Sequence, residues 1–239
     1  MSRKRLPRAN EILIFFTRLD RELPEPARLE DLLSHSELER AARLPEGPAR
    51  SRFAAGRLFL RDSLASFLDV HAGDIRFVEG EWGKPRLAQG SGAGALTFNL
   101  SHSADLAVLA VAGGPEVGVD MERTVEDLPY LEMARLFFSE NELGELTSLQ
   151  KSAQISAFYR CWTRKEAYLK GCGRGLSLLP PHSFDVSLLP DHPPALLVHR
   201  LSPSEKERWR IVDLNAPQGF CAALAVERVL PVIRYITCD

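Results

Sequence analysis

Cysteine pairs, long apolar runs and a dominant charge are all missing from this sequence of 239 residues. Its four cysteines, Cys161, Cys172, Cys221 and Cys238, stand apart, with no CxxC pair and no histidine at zinc-ligand spacing. That excludes a disulfide framework or a zinc-cluster fold. With no export signal evident, it predicts reduced thiols in a cytoplasm, Cys161 and Cys221 serving as small core residues. The apolar run near the start, Ile12 to Phe16, is too short for a signal-peptide core and far too short for a membrane span. A net charge of −2 argues against bulk attraction to nucleic acid and leaves room only for a local basic patch. No internal repeat or low-complexity tract stands out. What remains is 45% hydrophobic and 26% charged, an ordinary globular composition. The length suits one large domain or two of about 100–150 residues each.

Periodicity predicts a helix over 52–68, a strand in DIRFVE and a glycine-rich loop in GEWGKPRLAQGSGAGA. LTFNLSHSADLAVLAVAG reads as two strands around a turn at 101–105. A tight turn at 113–115 then leads into a strand over 117–122. Short helices follow in LPYLEMARLFF and ELGELTSLQ, then a long one in SAQISAFYRCWTRKEAYLKG, ended by Gly171. The tail returns to strands in SFDVSLL, ALLVHRL, RWRIVDL and FCAALAVE. Helices mixed with a mostly antiparallel sheet in each half indicate an α+β fold, with a boundary near 113–116. The halves are thus 1–115 and 116–239.

The stretch GVDMER poses the functional question. Alternate residues of a strand share a face, so Val117, Val119 and Met121 point into a core while Gly118, Asp120 and Glu122 point the other way. Two readings fit: a half-exposed strand with solvated acids, or a hard-cation site, since Mg²⁺ takes carboxylate oxygens and keeps open positions for phosphate. On the long helix, at about 100° per residue, Ile155, Phe158, Trp162 and Leu169 form one apolar stripe. Lys165 falls inside that stripe and Glu166 at its edge. Either Lys165 lays its stem along the stripe and Glu166 pairs with Lys170 at i, i+4, or Glu166 meets Asp120 and Glu122 across a cleft with two lysines beside it.

Three shorter motifs have the same double aspect. His102, flanked by Ser101 and Ser103, is a surface turn residue or a ligand contact. Lys84, Pro85 and Arg86 sit beside Gly83 in a loop whose backbone can approach a ligand closely. Ser139 with Glu142 three residues on reads as a capping box. Arg50, Arg52 and Arg57 form a basic cluster, suited to a phosphate or to a solvated face.

Taken in this order, the stretches WGKPRL, FNLSHS, GVDMER, RLFFSENE and CWTRKEAYLKGCGRGL resemble the phosphopantetheinyl transferases of the two-domain, surfactin-synthetase-activating (Sfp) type. The last fits the family pattern W-x-x-K-E-A-x-x-K through Trp162, Lys165, Glu166, Ala167 and Lys170. The resemblance covers roughly residues 50–189. It implies transfer of the phosphopantetheine arm of coenzyme A to a serine of an acyl or peptidyl carrier protein, releasing 3′,5′-ADP. It also implies two similar α+β halves related by a pseudo-two-fold, with coenzyme A in the cleft between them, in a monomeric protein.

By that similarity Asp120, Glu122 and Glu166 hold Mg²⁺, or Mn²⁺ in its place. His102 and Lys170 would contact the phosphates, and Ser101 and Lys165 would also belong to the coenzyme-binding set. Lys84, Pro85 and Arg86 would line the adenine end, with Arg52 near the 3′-phosphate and Arg57 in the same basic cluster. The proton acceptor would be Glu166, Glu142 or a water on the metal, and Glu166, Lys170, His102 and Glu142 form the expected catalytic set. A Mg²⁺-dependent nuclease would also cluster acids, but it would need a basic groove, which the near-neutral charge disfavours. A non-catalytic carrier-binding module would have no use for an intact acidic trio. Neither a nucleic-acid nor a membrane partner is expected.

Overall fold

The computed structural model describes residues 5–88, 96–174, 178–228 and 230–237. Cys238, the end of the glycine-rich stretch and residues 175–176 of the last motif lie outside them.

The chain runs through the same succession of elements twice. In the first half, strand β1 (Glu11–Arg18) leads through helices α1 (Pro26–Leu32), α2 (His35–Ala42) and α3 (Pro48–Leu68). Two short paired strands, β2 (Phe77–Glu79) and β3 (Pro85–Leu87), precede the hairpin of β4 (Leu96–Ser103) and β5 (Leu106–Gly113). In the second half, β6 (Val117–Arg123) leads through α4 (Tyr130–Phe137), α5 (Glu140–Ser148) and α6 (Lys151–Cys172). The paired strands β7 (Phe184–Val186) and β8 (Leu196–His199) come next. A single turn, α7 (Glu205–Arg208), then precedes β9 (Trp209–Asp213) and β10 (Phe220–Glu227). The main strands pair antiparallel in matching orders, β1–β5–β4 and β6–β10–β9.

The fold is α+β, as expected. The final strand, β11 (Val232–Ile236), departs from the expected boundary, because it pairs in parallel with β1. The tail assigned to the second half therefore completes the first half's sheet. It covers a β1 edge that would otherwise present unpaired backbone groups.

Side-chain alternation sorts the apolar residues into layers. Leu13 and Phe15 of β1 and Leu109 and Val111 of β5 pack on Phe59 and Leu64 of α3. Their neighbours Ile12, Ile14, Val108 and Ala110 face the other way and meet Val117, Val119, Met121 and Leu224 of the second sheet. Behind that sheet, Ala223 and Ala225 pack with Phe158, Ala167 and Leu169 of α6. The order is helix, sheet, sheet, helix. This explains why β5, Leu-Ala-Val-Leu-Ala-Val-Ala, is apolar on both faces.

Local signals set most boundaries. Pro48 opens α3, and capping boxes open α2 at Ser34–Glu37 and α5 at Ser139–Glu142. Gly171 does not end the long helix as predicted. Gly173 does, in the left-handed conformation at φ 71°. Gly171 lies inside α6 because the backbone there passes against the Trp209 ring and the Gly118 amide. His102 likewise sits on β4 rather than in a turn, which narrows to Ala104–Asp105.

Candidate active site

The site forms where β4 and β6 lie side by side without sharing a ladder, the two strands belonging to different sheets. Polar side chains at alternate positions of β4 replace the missing backbone bonds. Asn99 Oδ1 accepts from the Val119 amide at 2.9 Å, and Ser101 Oγ donates to Asp120 Oδ1 at 3.0 Å. Ser103 Oγ donates to Glu122 Oε2 at 2.8 Å.

The remaining wall is α6, brought close by Gly118. A Cβ at that position would stand 2.1 Å from both Ala167 O and Gly171 N, so only glycine lets the helix cross the strand there. Further along β6, Asp120 and Glu122 then face Glu166 and Lys170 of the helix. Trp162, one turn before Glu166, packs its ring on Phe137 and Phe158.

Three acids share one cation. Lys170 Nζ lies 2.6 Å from Asp120 Oδ1 and 2.8 Å from Ser101 Oγ. It does not make the i, i+4 pair with Glu166 that the helix spacing suggested. Burial first, and then the charges of Asp120 and Glu122, push Glu166 up to about 7, with Lys170 opposing. Burial and Asp120 raise Glu122 as well. Asp120 is 1% exposed, and its Oδ2 is buried with no hydrogen-bond partner among the described residues. Such an orphaned carboxylate oxygen costs free energy unless something positive meets it. Among the described residues no three acids, histidines or cysteines are already gathered at metal-ligand spacing. In kind, however, the donor set suits a hard divalent cation: carboxylate oxygens, one unpartnered, in mutual repulsion.

Two family profiles match the chain in succession. Residues 25–114 match the 4′-phosphopantetheinyl transferase N-terminal domain, and residues 116–225 match the 4′-phosphopantetheinyl transferase superfamily domain. The 4′-phosphopantetheinyl transferase HetI of Nostoc sp. is 37% identical over 214 residues, 87% of this chain and 85% of that protein. The chain belongs to the 4′-phosphopantetheinyl transferase superfamily. The 4′-phosphopantetheinyl transferase Sfp of Bacillus subtilis is 33% identical over 175 residues, 72% of this chain and 75% of the relative. The holo-[acyl-carrier-protein] synthase of Thermotoga maritima aligns with 47% of this chain and 62% of its own at 23% identity, with a TM-score of 0.36.

Not every predicted residue of this transferase reaches the acids. Asp120, Glu122, Glu166, Lys170 and Ser101 come together. His102 stands exposed at the end of β4, its pKa lowered by the surrounding protein and then by Lys170. Glu142 and Lys165 do not join them. Lys165 is 1% exposed, and its ammonium is fully engaged: it lies 2.8 Å from Glu142 Oε2 and donates to the carbonyls of Pro181 and Phe184. Glu142 is equally buried and also accepts from the amides of Ser139 and Val186. Glu142, one of the expected proton acceptors, and Lys165, expected to bind the cofactor, instead neutralise each other's charge inside the core behind α6.

The basic residues of the first half also have protein partners. Lys84 Nζ is buried at the join between the halves and donates to Glu116, Val117 O and Gly171 O. Arg86 pairs with the same Glu116 at 2.6 Å, and Pro85 is exposed beside it. Arg57 pairs with Glu37 and lies over the Phe77 ring, and Arg50 donates to Leu44 O. Arg52 pairs with Asp20 at 2.6 Å and keeps about a third of its side-chain surface open. Lys84 thus has all three donors engaged by the protein and Arg57 is paired with Glu37, whereas Arg52 and Arg86 remain at the surface. Asn99, Ser103 and Trp162 are additions to the predicted set. The polar N-x-S-x-S alternation on an otherwise apolar strand was the signal for the first two.

Proposed function

We propose that this transferase moves the 4′-phosphopantetheine arm of coenzyme A onto a serine hydroxyl of an acyl or peptidyl carrier protein and releases 3′,5′-ADP, in a reaction that depends on Mg²⁺ or Mn²⁺. The observation that carries the reading is the convergence of Asp120, Glu122 and Glu166 from a strand and a helix, with Asp120 Oδ2 buried and unpartnered. Asp120, Glu122 and Glu166 would hold the cation. When bound, that ion neutralises pyrophosphate charge and favours departure of the nucleotide.

The chain's own groups account for the rest. Lys170, whose side chain is about a third exposed, is the ammonium placed to meet a phosphate oxygen. His102, exposed at the end of β4, would donate a hydrogen bond to phosphate. The carrier serine oxygen forms its bond to the phosphorus next to the pantetheine arm, and the bond from that phosphorus to the bridging oxygen of the nucleotide breaks. Glu166, which lies in the cluster with Asp120 and Glu122, is the side chain that would take the hydroxyl proton. The buried pair of Glu142 with Lys165 supports leaving Glu142 out of that role. The matching strand orders support a pseudo-two-fold relation between the halves, with coenzyme A between them. Arg52 and Arg86 are the cations available to its nucleotide end. The carrier would dock around α4, where Leu136 is 70% exposed. A monomer working in the cytoplasm completes the proposal.

The decisive experiment incubates the protein with coenzyme A, Mg²⁺ and an apo carrier protein and weighs the carrier by intact-mass spectrometry. Gain of one phosphopantetheine arm, abolished by EDTA and in Asp120→Ala, is expected. Undiminished transfer in EDTA would remove the cation from the proposal.

A further inference from the structure

We propose that Ser103 is a positioning residue for the carboxylate site: its hydroxyl, carried by the first half, holds the Glu122 carboxylate, carried by the second, in a single orientation. The inference rests on the reading of Asp120, Glu122 and Glu166 as a cation site.

The direction of the hydrogen bond is settled by the partners. Ser103 Oγ accepts from the Arg123 amide at 3.1 Å, and a backbone N–H can only donate. The hydroxyl proton therefore goes to the other neighbour, Glu122 Oε2 at 2.8 Å. The bond is charge-assisted whenever Glu122 is ionised, as a cation ligand must be. Ser101 is placed differently, since its oxygen already lies between Lys170 and Asp120 and its role is bound up with both. Asp120 is short and has Lys170 and Ser101 to hold it. Glu122 is longer, partly exposed, and rotates about three side-chain bonds, so its orientation is the more costly to define. The hydrogen bond from Ser103 is what defines it. Because Ser103 and Glu122 lie on opposite sides of the join, this contact exists only while β4 and β6 are docked. The preparation of the site for a cation is thereby tied to the packing of the two halves.

Removing a hydrogen-bond partner of a metal ligand commonly weakens metal affinity 10- to 100-fold. Mn²⁺ binding to the full chain, without coenzyme A, is read by electron paramagnetic resonance of the free ion. Ser103→Ala should raise the Mn²⁺ dissociation constant about tenfold or more, and Ser103→Thr, which keeps the hydroxyl, should restore it. Should the alanine variant not fold, Ser103→Cys fills the same space with a poor donor and should show the same weakening. In the transfer assay the Mg²⁺ concentration for half-maximal rate should rise by a similar factor while the KM for coenzyme A holds. Mn²⁺ binding by a folded alanine or cysteine variant as tight as that of the unaltered protein would overturn the inference while leaving the cation site in place. If the unaltered protein binds no Mn²⁺, the cation-site reading itself falls and takes the inference with it.

Discussion

Glu166 shows how much one side chain can couple stability to function. Its pKa, about 7 in the folded protein, is 4.5 for an ordinary glutamate, so the fold binds this proton more tightly than the unfolded chain does. The contribution of Glu166 to the metal-free fold is therefore fully present at low pH and is lost as pH rises from 4.5 through about 7. At about 1.4 kcal/mol per unit the loss amounts to about 3 kcal/mol. A divalent cation among the acids reverses that cost. Thermal melts should show added Mg²⁺ raising Tm more at about pH 8 than at about pH 6, and Glu166→Gln should remove the difference. A Mg²⁺ shift that is the same at both values would contradict this account. The Glu142–Lys165 pair makes a different prediction at the same scale. Breaking it from one side, by Glu142→Gln or Lys165→Met, strands a buried polar group and should lower unfolding free energy by about 3–5 kcal/mol in urea titrations. The double variant should lose less than the two single losses summed.

Between elements, the closest constraint is the crossing of β6 and α6. The glycine of GVDMER is needed because the helix backbone passes where a side chain would be. Gly118→Ala would set a methyl group against Ala167 O and the Gly171 amide, both backbone atoms that cannot rotate aside. The helix would have to lift, carrying Glu166 and Lys170 away from Asp120. Chemical denaturation should show a loss of several kcal/mol, with Mn²⁺ binding weakened in whatever fraction still folds. Helix caps are the opposite case. The boxes at Ser34–Glu37 and Ser139–Glu142 were legible from spacing alone, because donor and acceptor are three residues apart in the chain.

The molecule as a whole is closed by its ends. Glu11 at the start of β1 accepts from Arg5 and from Arg234 of β11, and the Arg8 amide, together with these guanidinium groups, lowers its pKa to about 2. A depressed carboxylate stabilises the fold above its unfolded value of 4.5, and that contribution fades as pH falls from there to about 2. The protection of the β11 amides, taken relative to intrinsic exchange at each pH, should therefore fall on acidification within this window. Glu11→Gln should produce the same loosening at neutral pH while leaving the β6 and β10 amides protected. If β11 exchanges no faster in the variant, the strand is held by its ladder and apolar contacts alone.

The sequence by itself determined what depends on near neighbours. Strand alternation placed Val117, Val119 and Met121 inward and Asp120 and Glu122 opposite, and the order of motifs identified the family. The α+β class followed from element types. Only the tertiary structure decided which charges are spoken for. Lys165, one residue from Glu166, turns to a carboxylate 23 positions earlier in the chain, while Lys84 spends its donors on Glu116, Val117 and Gly171. Ser103 meets Glu122 across the join, and β11 returns to β1. A buried ion needs a counter-ion or carbonyl oxygens at hydrogen-bond distance. The partner it finds is set by how helices and sheets stack, a property no short window of sequence contains.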